Sequence, residues 1–517
     1  MPDDLTKIYF SDFFQIPPAL LEEYGAFDVS LINDLPLFVD PFLLFNSSDP
    51  VHKELHESII TYLRFLKNKA SAGHLNEGLL ENWFTFREVK ENWLGYSLQG
   101  NEGTGLGMDF ARALSANLAT LFASFGSETV THGSHLEKVC LIGTGVGRDN
   151  ISDFATNLIK GYLLDYTEVF ARTHLRPDQR RTIAVSKAGF NYSTETWESQ
   201  RYELPYIDGG YVLLTPTDLL TKDEVWINKE DMYRDYSAIV EAIPNHQLRA
   251  QLNNYLTAKL AAIQERDEAK KARKASPRRK RRQPRRGPPE PTARQRQEAI
   301  SAAIGQYPEF IDYYIRWKED HGDEAEAQAD QRVRSSERLY IGQVRELALA
   351  LLRQTAFYES TGSTHDEARQ RVLFLKDVIE NKGGWRLFYV DEEPLRREAD
   401  LHIMFRLTWC NTPSDVSREV NDGRGPADFK ISRGRFDKSI VEFKLAKNTA
   451  LPRNLQHQAE AYKKAADAQH ALKVIVYFTA SEESKLRKLL RSMGLDRHSD
   501  VITIDARSDN KASASRL

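Results

Sequence analysis

Between positions 419 and 462 the chain reads EVNDGRGPADFKISRGRFDKSIVEFKLAKNTALPRNLQHQAEAY, and here acids, a lysine and an amide are spaced as one reaction would need them. Side chains alternate along a strand, so Glu442 and Lys444 share one face of 440–445 while Val441, Phe443 and Leu445 take the other. The same rule sets Asp428 opposite Ala427, Phe429 and Ile431, and two strands amphipathic in the same sense would bring Asp428 beside Glu442. Neighbouring carboxylates repel unless a proton or a cation lies between them. Mg²⁺ suits such a pair, with Mn²⁺ as a substitute, because it takes one or two carboxylates, keeps several waters and acidifies them. Lys444 would orient or deprotonate that water and offset charge growing on a phosphate. Arg424, flanked by Gly423 and Gly425, would reach a phosphate. Gln458 and Tyr462 stand four apart on one helix face and would hold the water and the substrate, with Glu419 as an outer acid on the same ion.

A Glu-x-Lys triplet alone is weak, since a chain of this length contains roughly two by chance. Here the others are Glu88-Val-Lys90, Glu268-Ala-Lys270, Glu380-Asn-Lys382 and Glu483-Ser-Lys485. None of them follows an acid-bearing strand and precedes an amide-bearing helix. The ordered set carries the specificity.

Glu419, GRGPAD, VEFK and the QAEAY helix together resemble the PD-(D/E)xK nuclease superfamily, and Gln458-x-x-x-Tyr462 is similar to the motif of its RecB and lambda-exonuclease branch. The resemblance covers about 395–508. It implies a restriction-endonuclease-like αβββαβ core and a divalent-metal deoxyribonuclease leaving 5′-phosphate and 3′-hydroxyl ends, in a restriction or anti-phage setting. By position it makes Asp428 and Glu442 metal ligands, Lys444 the catalytic lysine, Glu419 the first acid, and Gln458 and Tyr462 the motif helix. The family's first acid is helix-borne, whereas Glu419 falls at a strand end, so Glu398 and Asp400 in the preceding helix compete for that role. The alternative reading is a catalytically inactive nuclease fold that binds DNA or regulates another protein.

Those residues need a frame. A chain of 517 residues exceeds one core and predicts several domains. Residues 1–245 alternate strand-like runs (VSLINDLPLFV, KVCLIG, GYVLLT) with helix-like segments, which predicts a mixed α/β domain for recognition or regulation. A helix follows over 246–274, then a Pro-rich basic linker over 275–292 expected to be disordered, and a helical connector over 293–382. The nuclease-like domain spans 383–508, its opening helix presenting Leu401, Met404, Phe405 and Thr408 on one face, and 509–517 reads as a disordered tail.

Hydrophobic residues at 41% and charged residues at 28% are ordinary for a globular protein. The net charge of −3 conceals eleven Lys and Arg within 270–286, where Lys280, Arg281 and Arg282 are candidates for phosphate contact; the remainder carries −14. DNA is the expected partner, RNA is a second substrate class the residues admit, and a homo-oligomer or separate partner protein fits as well. Two cysteines exclude an iron–sulfur site within one chain, the absence of any Gly-Lys dipeptide excludes a Walker-type ATP motor, and no stretch reaches the length of a membrane span. With no secretory pattern at Met1, a cytoplasmic location is expected. His52 and His56 read as a surface pair rather than a zinc motif, and His132, His135 and Cys140 lack an obvious fourth ligand.

Overall fold

The computed structural model describes residues 7–511 apart from 96–105, 121–124, 142–147, 208, 223, 275–289, 353–361, 391–392, 396, 410–413, 418–428, 434–436 and 456–469. The architecture is mixed α/β. Helices dominate the first 245 residues, among them Pro50–Ala72, whose Asp49 side chain caps the Val51 amide, and Met108–Thr120. Strand β1 (Leu37–Val39) pairs antiparallel with β5 (Leu220–Lys222), while β2 (Arg180–Asn191), β3 (Thr196–Ile207) and β4 (Gly210–Tyr211) form an antiparallel meander under the Lys160–His174 helix.

Three strand expectations in this region are corrected. KVCLIG lies mostly in a helix, Leu136–Leu141. Of VSLINDLPLFV only Leu37–Val39 forms a strand, Ser30 and Leu35 making isolated bridges, and of GYVLLT only the first two residues lie in one. Short apolar runs of this kind fit a buried helix or a buried strand equally well by pattern, so packing decides between them.

The long helix His246–Lys274 packs against Ala293–Gln306, and Arg266 forms a two-pronged pair with Glu298 at 2.6 and 2.9 Å. Helices Phe310–Glu319 and Gly322–Glu337 follow, and the latter runs into a π-helical turn, Arg338–Gln343, before the Val344–Leu352 helix. Strands β6 (Tyr389–Val390) and β7 (Glu393–Pro394) make a small antiparallel pair.

The remaining strands, β8 (Asp415–Ser417), β9 (Phe429–Arg433), β10 (Asp437–Leu445), β11 (His470–Tyr477) and β12 (Val501–Asp505), form one five-stranded sheet in the order β12-β11-β10-β9-β8. The pairs β8/β9 and β9/β10 are antiparallel, and β10/β11 and β11/β12 are parallel. One face presents Val441, Phe443, Val474, Val476, Ile502 and Ile504 to the core, where they meet the Thr364–Asn381 and Glu398–Thr408 helices. The Thr364–Asn381 helix, assigned from sequence to the connector, therefore belongs physically to the sheet. Its first amide is held by Asp437, the opening residue of β10, at 3.0 and 3.1 Å, a carboxylate placed where the helix dipole favours negative charge. The other face packs Ile475 and Tyr477 under Leu486 and Leu490 of the Ala480–Ser492 helix and under Leu451 and Leu455.

The sheet is not a separate bead. Its core-facing residues and those of the amino-terminal region form one continuous buried cluster, bridged by Val333, Tyr340, Val344 and Leu347. Polar contacts reinforce the joint: Arg345 reaches Asp12 at 3.1 Å and Asp28 at 3.0 Å. Among the described residues no helix is long and apolar enough to cross a membrane.

Candidate active site

Strand β10 positions the first two residues. Phe443 is fully buried against the rings of Phe405, 4.4 Å away, and Phe429, and this anchoring turns Glu442 and Lys444 to the opposite face. There they are 5% and 9% exposed, so both charges sit where water screens them little, and Lys444 Nζ lies 3.6 Å from Glu442 Oε1. The parallel register places Lys473 of β11 directly beside Glu442, a second cation on this face that the sequence pattern did not single out.

The helix Glu398–Thr408 supplies the next carboxylate. It packs by Leu401, Met404 and Phe405, each at most 2% exposed, which fixes the direction of its first turn. Glu398 Oε1 accepts the Leu445 backbone N–H at 3.0 Å and the Asn448 side-chain amide at 2.8 Å. Oε2 is thereby aimed at Lys444 Nζ, 3.6 Å away. Asp400, two residues on and so on another side of the helix, accepts instead from Tyr340 Oη at 2.6 Å, with Lys222 Nζ 3.9 Å from the same oxygen. Of the two helix-borne candidates the structure brings Glu398, and not Asp400, to Lys444.

Asn448 escaped the sequence reading. Its Oδ1 accepts the Ala450 N–H at 2.9 Å, so it closes a turn after β10 while its amide holds Glu398. The signal was a polar turn residue just beyond the strand, which is too common to stand out by itself.

Glu419, Arg424, Asp428, Gln458 and Tyr462 lie outside the described residues, as do Lys280, Arg281 and Arg282. The described antiparallel register of β9 with β10 ends at Phe429 opposite Val441, the residues adjacent in sequence to Asp428 and Glu442. Among the described residues no group of three or more His, Cys, Asp or Glu side chains is arranged to hold a metal ion. Glu398 and Glu442 are nonetheless hard oxygen donors flanking one ammonium, a donor set that suits Mg²⁺, which needs only one or two carboxylates.

The histidines flagged in the sequence lie elsewhere, and the expected surface pair is corrected. His52 and His56 are 5% and 4% exposed because the helix face they share packs inward. Burial, with His135 nearby, lowers the His56 pKa to about 3. His135 Nε2 lies 2.8 Å from Glu319 Oε1, and the Glu319 carboxylate also accepts the His132 and Gly133 amides.

Two family models match the chain. Residues 15–228 match one described as a domain of unknown function (DUF8370), and residues 364–480 match a second described as a domain of unknown function (DUF8371). No curated protein and no solved structure matches it. The second match opens on the first residue of the Thr364–Asn381 helix and runs through β11, so it encloses Glu398, Glu442, Lys444 and Asn448 together with the helices that cover the core-facing side of the sheet.

Proposed function

We propose that the unit from Thr364 onward is a PD-(D/E)xK-type nuclease domain that hydrolyses DNA phosphodiester bonds with a divalent metal ion, Mg²⁺ or Mn²⁺. The observation that carries this reading is the position of Lys444 Nζ, 3.6 Å from both Glu398 Oε2 and Glu442 Oε1. A helix preceding three antiparallel strands, the last of them leading into parallel β11 and β12, is the order the αβββαβ core calls for.

Glu398 and Glu442 would hold the ion, with Asp428 as a further ligand. When bound, the metal polarises a phosphate oxygen and acidifies a water. Lys444 Nζ, held between two carboxylates, would face the negative charge that develops on phosphate. Burial of the Glu442–Lys444 pair excludes water that would otherwise weaken this stabilisation. The amino-terminal region, sharing a core with the sheet, would recognise the substrate, a partner or a trigger.

Incubating the full chain with duplex and single-stranded DNA, and with RNA, in Mg²⁺ or Mn²⁺ tests the reading. Cleavage by the wild type that Lys444→Ala abolishes, with the fold intact, is the expected result. A wild-type protein that leaves every substrate untouched in both metals would overturn it.

A further inference from the structure

Between the start of the Pro50–Ala72 helix, the 217–220 segment and the Gly322–Glu337 helix lies a cavity of about 370 Å³, the size of a small-molecule site. Its polar lining includes His52, Asp218, Glu326 and Asp330 beside the hydroxyls of Ser47, Ser48 and Thr217, and no lysine or arginine lines it. Asp330 is paired with Arg334 at 2.8 Å and Glu326 accepts from Asn46 at 2.8 Å. Asp218 has no lysine or arginine partner among the described residues.

A buried group points into the same space. His52 lines the cavity while only 5% exposed; its Nδ1 lies 3.1 Å from Ser47 Oγ, which also accepts the Asp49 amide. Its Nε2 makes no hydrogen bond with any described residue and lies 3.9 Å from Asp218 Oδ2, beyond hydrogen-bonding reach. In the tautomer that donates Nδ1–H to Ser47, Nε2 offers a lone pair to the cavity. Asp330 already has Arg334, so Asp218, Glu326 and His52 Nε2 are the acceptors left for a ligand rich in N–H donors. Leu43, Leu220 and Ala329 add an apolar wall for its carbon stem.

Two walls of the cavity lead to one residue. Leu220 opens β5, and the last residue of β5, Lys222, places Nζ 3.9 Å from Asp400 Oδ1. The Gly322–Glu337 helix continues directly into the π-helical turn Arg338–Gln343, whose Tyr340 donates to the same oxygen at 2.6 Å. Lys222 Nζ stands 4.9 Å from the Tyr340 ring centroid, so the two arms also touch each other. Asp400 shares the first helical turn with Glu398. The regular hydrogen-bond ladder is already interrupted at this π turn, which would let one wall shift without unfolding.

We propose that this cavity is an effector site for a small organic cation bearing an ammonium or guanidinium group, and that filling it changes how Lys222 and Tyr340 hold Asp400 and so repositions the helix carrying Glu398. The effect on cleavage rests on the nuclease reading; the site and its link to the helix do not.

The test uses the full chain with agmatine and spermidine as probes, binding read by calorimetry and the Glu398–Thr408 helix by amide hydrogen exchange. At least one probe should bind the wild type, with affinity lowered at least tenfold in Asp218→Asn and in Glu326→Gln. Binding should change exchange across Glu398–Thr408, and Lys222→Met should keep the affinity but lose that change. The proposal is overturned if neither probe binds the wild type, if both carboxylate substitutions leave affinity intact, or if the exchange change persists in Lys222→Met. No readout uses cleavage, so an inactive protein would sink the nuclease reading and leave this test intact.

Discussion

Lys444 Nζ and Glu398 Oε2 stand 3.6 Å apart although a helix and two strands separate them in the chain. That contact exists because Phe443 and Phe405 pack at 4.4 Å, locking β10 to the helix and leaving the charged ends to meet at the strand's edge. Removing either charge tests whether the contact serves chemistry. Glu398→Gln keeps the shape and the hydrogen-bonding capacity yet removes a ligand charge, and Lys444→Met removes the ammonium. Each should lower metal-dependent DNA cleavage by about 10²-fold or more, with thermal unfolding little changed, whereas Asp400→Asn should lower it far less.

Asn448 offers a subtler test on the same reading. Its amide restrains Glu398 Oε1 without reaching Lys444, so Asn448→Ala should weaken Mn²⁺ binding about 10-fold through the looser carboxylate. Calorimetric titration of Mn²⁺ into the full-length variant would show this, and an unchanged affinity would mean the Leu445 amide alone suffices.

Arg371 has a structural role. It is fully buried with Glu367, Nε to Oε1 3.4 Å, and its guanidinium lies 4.9 Å from the Trp409 ring. Glu367 is also bound by Ser414 and Arg433, at 2.6 and 2.8 Å. Arg371→Met leaves a buried carboxylate with less compensation and should cost about 3–5 kcal/mol in a urea titration. Loss should be spread over the whole cooperative unit, since this pair sits under the sheet.

Stability should depend on pH through Glu137. Burial raises its pKa to about 8, the Asp40 charge adding to the shift, and neither carboxylate oxygen has a hydrogen-bond partner among the described residues. The folded state therefore keeps the proton while the unfolded chain loses it near its ordinary pKa of 4.5. The stability is fully present below that value and is lost as pH rises toward about 8, at a slope of up to about 1.4 kcal/mol per pH unit. Burial also raises Asp40, to about 6, so the steepest decline falls below that pH. In urea titrations from pH 5 to 9, Glu137→Gln should flatten the curve and exceed wild-type stability at pH 8. Parallel curves would show that Glu137 is ionised in the fold.

The basic run makes a separate, sequence-based prediction. Neutralising Lys280, Arg281 and Arg282 should lower the slope of log affinity against log salt for DNA by about 2–3 if all three contact phosphates. An unchanged slope would leave the segment a linker only.

The sequence by itself determined that β9 to β12 are strands, β9 and β10 by alternation and β11 by a short β-branched apolar run, and it placed Glu442 and Lys444 on one face. It also fixed the helices at 246–274 and 398–408 to within a few residues, through apolar spacing of three and four. It did not choose between Glu398 and Asp400, which share a turn and a charge. That choice belongs to tertiary structure: the Leu445 amide and Asn448 capture Glu398, while Tyr340, 60 residues earlier, captures Asp400. For the same reason the KVCLIG run became a helix and the Thr364–Asn381 helix joined the sheet, since burial against distant residues outweighs the local preference of a short segment.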